Sequence, residues 1–300
     1  MILDIKTIFV LFAAIISANT AGFELSLYGN AGNDSHITLP YENNLYDISD
    51  NFFSAAGQLR FHSGNSNYNF GLFRKAYSSD KEFNEITTNA SAEYKTKLLN
   101  TRLILGSNLE NRWIGGEQYG LLIGFFLKPE YKILDNLILC GSLDIESYKA
   151  GDLTGYLDGK IYRLTGKLRF SYYGWEFSPR LVYENQNRND YKNNIIYNSY
   201  SPESLSAGIA INGAIGRINI NIDADYSWIG YKTDEKYFIY TNTRRNKNTH
   251  LMVNIETATI YDLNVFIRSD YSNNNSNIAR EDFEQTLISI GLVYRDIFNF

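Results

Sequence analysis

The stretch TLISIGLVYRDIFNF, Thr286 to Phe300, ends the chain and alternates in character. Ile288, Ile290, Leu292, Tyr294, Phe298 and Phe300 share one parity, broken only by Asp296. Ser289, Gly291, Val293, Arg295, Ile297 and Asn299 fill the other. Side chains alternate across a β-strand, so this is one apolar face backed by a smaller, more polar one. Helical spacing has no comparable match here.

The same period of two recurs upstream. Phe23, Leu25 and Leu27 oppose Glu24, Ser26 and Tyr28; Phe53, Ala55, Gly57, Leu59 and Phe61 oppose Ser54, Gln58, Arg60 and His62. The clearest case sets Ile218, Ile220, Ile222, Ala224, Tyr226 and Trp228 against Asn219, Asn221, Asp223, Asp225 and Ser227. Counting such runs predicts about fourteen strands, within a range of about twelve to sixteen. The strand that opens at Tyr119 is expected to end at Pro129, with Trp113–Gly116 as a short loop. Long polar loops are expected over 33–50, 185–201, 230–247 and 273–280. Short turns and longer loops mostly alternate, so each kind gathers at one end.

Composition agrees. With 24 Tyr, 18 Phe and only 4 Pro, the chain suits long, uninterrupted strands. A net charge of −5 and the lack of a basic run exclude a nucleic-acid partner. Cys140 is the one cysteine, so no internal disulfide is expected. Lys6, the apolar run Ile8–Ile16 and Ser17-Ala18-Asn19-Thr20-Ala21 follow the order of a secretory signal peptide. Cleavage is expected after Ala18 or Ala21, giving a signal segment over 1–21 and a strand domain over 22–300, with no soluble domain.

A closing strand with Leu292, Tyr294, Phe298 and a terminal Phe300 resembles the C-terminal signature of Gram-negative outer-membrane β-barrels. That resemblance implies a single transmembrane antiparallel up-and-down β-barrel in the outer membrane. It implies lipid and, through the C-terminal strand, the barrel-assembly machinery as partners. A soluble β-sandwich also alternates, but three features favour the barrel. The strands are long enough for a tilted bilayer crossing. Trp113, Tyr119, Tyr172, Trp175, Tyr183, Tyr226, Trp228, Tyr261 and Tyr271 crowd strand ends, as interfacial girdles do. Full charges such as Lys167, Asp223 and Arg268 stand mid-strand, where a watered interior takes them at little cost.

These inward-parity charges are the candidate site. Lys95, Lys97, Arg102, Arg163, Lys167, Arg169 and Arg180 form a basic group, and Asp223, Asp225, Glu256 and Asp270 an acidic one. In a closed barrel they are expected to face each other across the lumen, making a transverse field that favours hydrophilic solutes. The competing expectation is that they pair across strands and keep the lumen wet. Catalysis is not expected. Asp34-Ser35-His36 are chain neighbours, whereas triads are assembled from distant positions. His62 and His250 match no catalytic or metal-ligand spacing. The sequence thus predicts a porin-like channel for passive diffusion of small hydrophilic solutes, without cofactor or metal. A loop such as 185–201, folded inward, is the expected constriction. The alternatives are a structural or adhesive barrel whose loops bind a partner, or a channel for hydrophobic substrates.

Overall fold

A computed structural model describes residues 22–38, 45–46, 48–151, 157–188, 201–231, 244–258, 263–277 and 282–299. The signal-like segment 1–21, Tyr261 and Phe300 lie outside these residues, as does 189–200 within the expected constriction. In chain order the strands are β1 (Gly22–Asp34), β2 (Ile37–Thr38), β3 (Leu45–Tyr46), β4 (Asp50–Ser63), β5 (Ser66–Tyr77), β6 (Glu85–Leu98), β7 (Thr101–Ile114) and β8 (Glu117–Leu134). They continue as β9 (Leu137–Ala150), β10 (Gly159–Tyr172), β11 (Trp175–Arg188), β12 (Pro202–Ile215), β13 (Ile218–Tyr231), β14 (Arg245–Ala258), β15 (Leu263–Ser276) and β16 (Phe283–Asn299). Apart from β2 and β3, which pair only with each other, each strand pairs antiparallel with its neighbours. β1 pairs with both β4 and β16, so fourteen strands close into one up-and-down barrel. Closure leaves no unpaired edge, the condition for a sheet in lipid.

The wall has two unlike faces. On β16, Ile288, Ile290 and Leu292 are exposed, Ile290 to 58%, while Ser289 is 2% and Val293 1% exposed. In register beside Ile290 stand Ala31 and Ile267, and Ile267 is itself exposed. The same parity carries Leu27, Phe53, Leu72, Leu105, Phe125, Leu143, Leu164, Leu181, Leu205 and Leu251 outward around the barrel. About five consecutive outward positions per strand are apolar. At about 3.3 Å per residue and the usual tilt, that is a band about 25 Å tall. This is the architecture of the outer-membrane β-barrels. Of the apolar parities read from the sequence, Leu292 is exposed on this outer face, and Leu25 and Ile220 lie on it half-buried between their outward neighbours.

The two ends differ. At one, here the turn end, two residues join β4–β5, β6–β7, β8–β9, β10–β11 and β12–β13. At the other, the loop end, the connections are longer, except that Gly115-Gly116 alone joins β7 to β8. Both of these glycines have positive φ, 62° and 89°, which lets so short a turn close. Trp113 and Ile114 thus belong to the strand, not to a loop.

Three boundaries differ from expectation for physical reasons. β8 does not end at Pro129 but runs on to Leu134. The β8–β9 ladder breaks after Leu127↔Leu143 and resumes at Glu130↔Cys140, so the missing N–H of Pro129 falls in a gap. Gly141 leaves room for the ring: a Cβ there would meet Pro129 Cγ at 3.1 Å. The polar runs Asn185–Arg188, Arg245–Lys247 and Asn273–Ser276, expected in loops, are strand. They extend the ladder past the apolar band, where the outer face no longer meets lipid and both faces turn polar. Tyr119 does not join an interfacial girdle. Gln118 pairs with Trp113 and Gly120 with Arg112, so Tyr119 is an extra residue in a bulge. Its parity slips, and it packs with Leu122, Tyr148, Ala150 and Leu157 in a buried cluster. Tyr172, Tyr183 and Trp228 do stand exposed on the outside.

Two turn-end residues carry unusual backbone. Leu99 (φ 54°) and Tyr173 (φ 47°) are left-handed, and they are 88% and 87% exposed. Leu in that conformation costs about 1 kcal/mol, which Asn largely avoids. Leu99→Asn should therefore raise the urea midpoint by an increment worth about 0.5–1 kcal/mol, with an unchanged slope. A drop would mean that Leu99 gains more from lipid than it loses in strain.

Candidate functional site: the inner wall

The charged residues gather because the barrel is staggered. Following the register from β6, Lys97 lies beside Arg102, Arg102 beside Glu130, Glu130 beside Cys140, and Cys140 beside Lys167. Lys167 continues to Arg180, Gly208, Asp225 and His250. Tilted strands make such a row climb. Lys97 sits one residue from the turn end of β6, whereas His250 is midway along β14. All these positions have the parity opposite to the exposed apolar residues, so the row winds up the inner wall.

The geometry places the expected basic and acidic groups as follows. Arg180 does not face Asp223 and Asp225 from across the lumen. It reaches over β12 to them, with Nη1–Oδ2 2.8 Å and Nη2–Oδ1 2.5 Å to Asp223, and Nε–Oδ1 3.1 Å and a further Nη2 contact to Asp225. Gly208 lies between, and a Cβ there would collide with the Asp225 carboxylate. Arg163 donates to Glu184 at 2.8 Å, and its Nη1 lies 3.8 Å from Glu146. Arg102 and Arg169 share Glu130, each at 3.2 Å. Glu256 accepts from Arg295 at 2.5 and 3.1 Å and from Asn264 at 2.6 Å. Asp270 accepts from Arg268 at 2.7 and 2.9 Å. Lys95, Lys97 and Lys167 point inward with no carboxylate in ion-pair reach among the described residues, and Lys128 sits 3.8 Å over the Phe126 ring.

Asp223, Asp225 and His250 offer ligand atoms within 4.8 Å of one another. Sequence spacing could not reveal this trio, because only strand register brings His250 alongside Asp225. A metal ion there would have to displace the Arg180 guanidinium, which already bridges both carboxylates.

The loop end is narrowed from two sides. Ile37 of β2 packs onto the inner faces of β4, β5 and β16, 1% exposed against Phe52, Tyr77 and Phe83, with Ile48 and Leu287 alongside. Asp34 fixes the base of β2, accepting from Lys75 Nζ at 3.0 Å, Tyr77 Oη at 2.9 Å and Gln285 Nε2 at 2.9 Å. Asp50 holds the next loop by accepting from the N–H groups of Ser79 and Asp80 at 2.8 and 3.1 Å. About five strands further round the wall, Leu157 packs inside β8 and β9, and Arg188 donates to its carbonyl at 2.6 Å. The Arg188 guanidinium also lies 5.2 Å from the Tyr148 ring. Among the described loop residues, Ile37, Ile48 and Leu157 thus pack inward, and the expected 185–201 contributes Arg188 and Ser201, joined at 3.0 Å.

Asp34, Ser35 and His36 do not form a relay. The His36 ring lies 3.2 Å from Ser35 Oγ, while the Asp34 carboxylate is turned to Lys75, Tyr77 and Gln285. His62 Nδ1 lies 2.8 Å from the Asn67 side-chain amide, and His250 Nε2 is 3.8 Å from Asp270.

No known family profile and no curated protein sequence matches the chain. Among solved structures it is similar to an anion-selective porin from Comamonas acidovorans, at 9% identity, over 93% of this chain and 100% of that one, with a TM-score of 0.49. It is also similar to the P. putida toluene transporter TodX, at 11% identity, over 96% and 92% of the two chains, with a TM-score of 0.48. A third is Pseudomonas aeruginosa OprD, at 9% identity, over 92% and 95%, with a TM-score of 0.45. At such identities nothing about solute or mechanism carries over.

Proposed function

We propose that this chain is an outer-membrane channel of porin type, which passes small hydrophilic solutes by passive diffusion. One observation carries the reading: the apolar side chains stand outside a closed fourteen-stranded wall, and the ionic ones stand inside it. Eight-stranded barrels are filled by their own side chains, and fourteen strands enclose a wider lumen. Here the inner wall presents Arg102, Lys97 and Arg268 exposed to water, which disfavours a hydrophobic cargo. The loop end, narrowed on two sides, would set the size limit. The terminal strand pairs with β1 through Phe23↔Phe298 and would be the segment handed to the assembly machinery.

A structural or adhesive barrel is the second reading, favoured by the packed inner clusters around Ile37 and Leu157. Planar-bilayer recording of the refolded protein separates the two. Discrete, ohmic opening steps are expected for the channel. Silence at every applied potential, from protein that shows the heat-modifiable band of a folded barrel, would reject it.

A further inference from the structure

We infer that the turn-end wall of β6 to β10 is an anion-binding strip, suited to solutes carrying phosphate or several carboxylates. This strip rests on the channel reading for its access route. The expected symmetric field is undone by pairing. Each of the acidic residues Asp223, Asp225, Glu256 and Asp270 is engaged by Arg180, Arg295 or Arg268. The basic side has no such balance. Toward the turn end it presents Lys95, Lys97, Arg102, Lys128, Lys167 and Arg169 against Glu93, Glu130 and Glu176.

The register sharpens the imbalance. Lys97 is the direct cross-strand partner of Arg102, a like-charge pairing that costs stability unless something lies between the cations. Lys95 and Lys128 flank the same neighbour, Ile104, one on each side. Four cations thus occupy three adjacent strands. Arg102 shares Glu130 with Arg169, and Glu93 has only a 3.5 Å contact with Asn67. The low-dielectric wall behind them focuses the potential into the lumen. Lysine ammonium groups on flexible stems suit a passing anion, because they hold it without fixing its orientation. A solute binding here would be concentrated at the mouth and released along the climbing row toward Arg180, Asp225 and Asp223, where the basic excess ends because the charges pair.

Two measurements on the refolded full chain test this. The first is calorimetric titration of tripolyphosphate into the protein in detergent at low salt. Saturable binding is expected, weakened about tenfold or more in a K95Q/K97Q/K128Q/K167Q variant and by added salt. The second is the reversal potential under a KCl gradient. Anion preference is expected, reduced at least about threefold in the same variant. Should that variant not fold, K97Q/K167Q serves, with smaller changes of the same sign. Unchanged tripolyphosphate affinity in a folded variant overturns the anion strip even if the channel conducts. Lysine-dependent binding without conductance keeps the strip and rejects the channel instead.

Discussion

Leu181→Arg is expected to destabilise the folded barrel by about 2–4 kcal/mol, whereas Val182→Arg, one residue on, should cost less than about 1 kcal/mol. The two positions share a strand, a depth and a backbone environment. Leu181 is seventh of fourteen residues in β11, near the middle of the apolar band. It lies between Gly166 and Ala207, neighbours too small to cover it, and is 59% exposed. Val182 lies between Thr165 and Ser206 on the wetter face. In lipid a guanidinium at Leu181 must snorkel or thin the bilayer, while at Val182 it finds water and carboxylates such as Glu184. If water bathed the outside instead, Arg at an exposed Leu would be harmless, and at an inward Val it would be costly. The sign of the difference therefore decides which face meets lipid. Guanidinium titration in lipid vesicles measures it, and 3 kcal/mol is about a hundredfold in the folding equilibrium. A smaller loss at Leu181 than at Val182 would reverse the barrel's faces and end the membrane reading.

How far the sequence anticipated this structure depends on whether a feature is local. Strand identity is local: the parity of Ile288, Ile290 and Leu292 is set by backbone geometry alone, and those residues do face outward. The strand number followed from the same rule. Strand ends were less legible, because they depend on depth. Asn273 to Ser276 looks like a loop by composition, yet its backbone stays in the ladder once the wall rises past the apolar band. Pro129 looks like a terminator, but one proline fits where the partner strand leaves a gap and a glycine leaves room. Tyr119 fits the parity rule in sequence, but it is itself the extra residue of a bulge and turns inward. Charge pairing was legible least. Arg180 and Asp223 are 43 residues apart, and only the stagger of three strands brings them together. Composition showed that the inner wall was charged but not which charges cancelled.

That cancellation gives the second large effect. Arg180→Ala should cost about 1–3 kcal/mol, and at least half of it should return in Arg180→Ala/Asp223→Asn. The guanidinium donates to both Asp223 and Asp225, and removing it leaves two carboxylates side by side on one strand face. All three side chains are about one-fifth exposed, at 20%, 23% and 21%, so water screens them in part. A fully buried pair would lose about 3–5 kcal/mol on losing one partner, and this hydration argues for the lower figure. Salt discriminates further. Repulsion between the abandoned carboxylates is screened, so the Arg180→Ala deficit should shrink as ionic strength rises, and the double variant should respond less. Gly208→Ala provides an independent route to the same disturbance, since its Cβ would push Asp225 off the guanidinium without removing any charge. It should destabilise with little salt dependence, because the carboxylates then lose geometry rather than neutralisation. Equal salt dependence in Arg180→Ala and Gly208→Ala, or a loss below about 0.5 kcal/mol in the former, would mean that lumen water already screens these charges. The acidic wall would then be free to act on solutes, and the one-sided basic field inferred for the turn end would have a true opponent across the lumen.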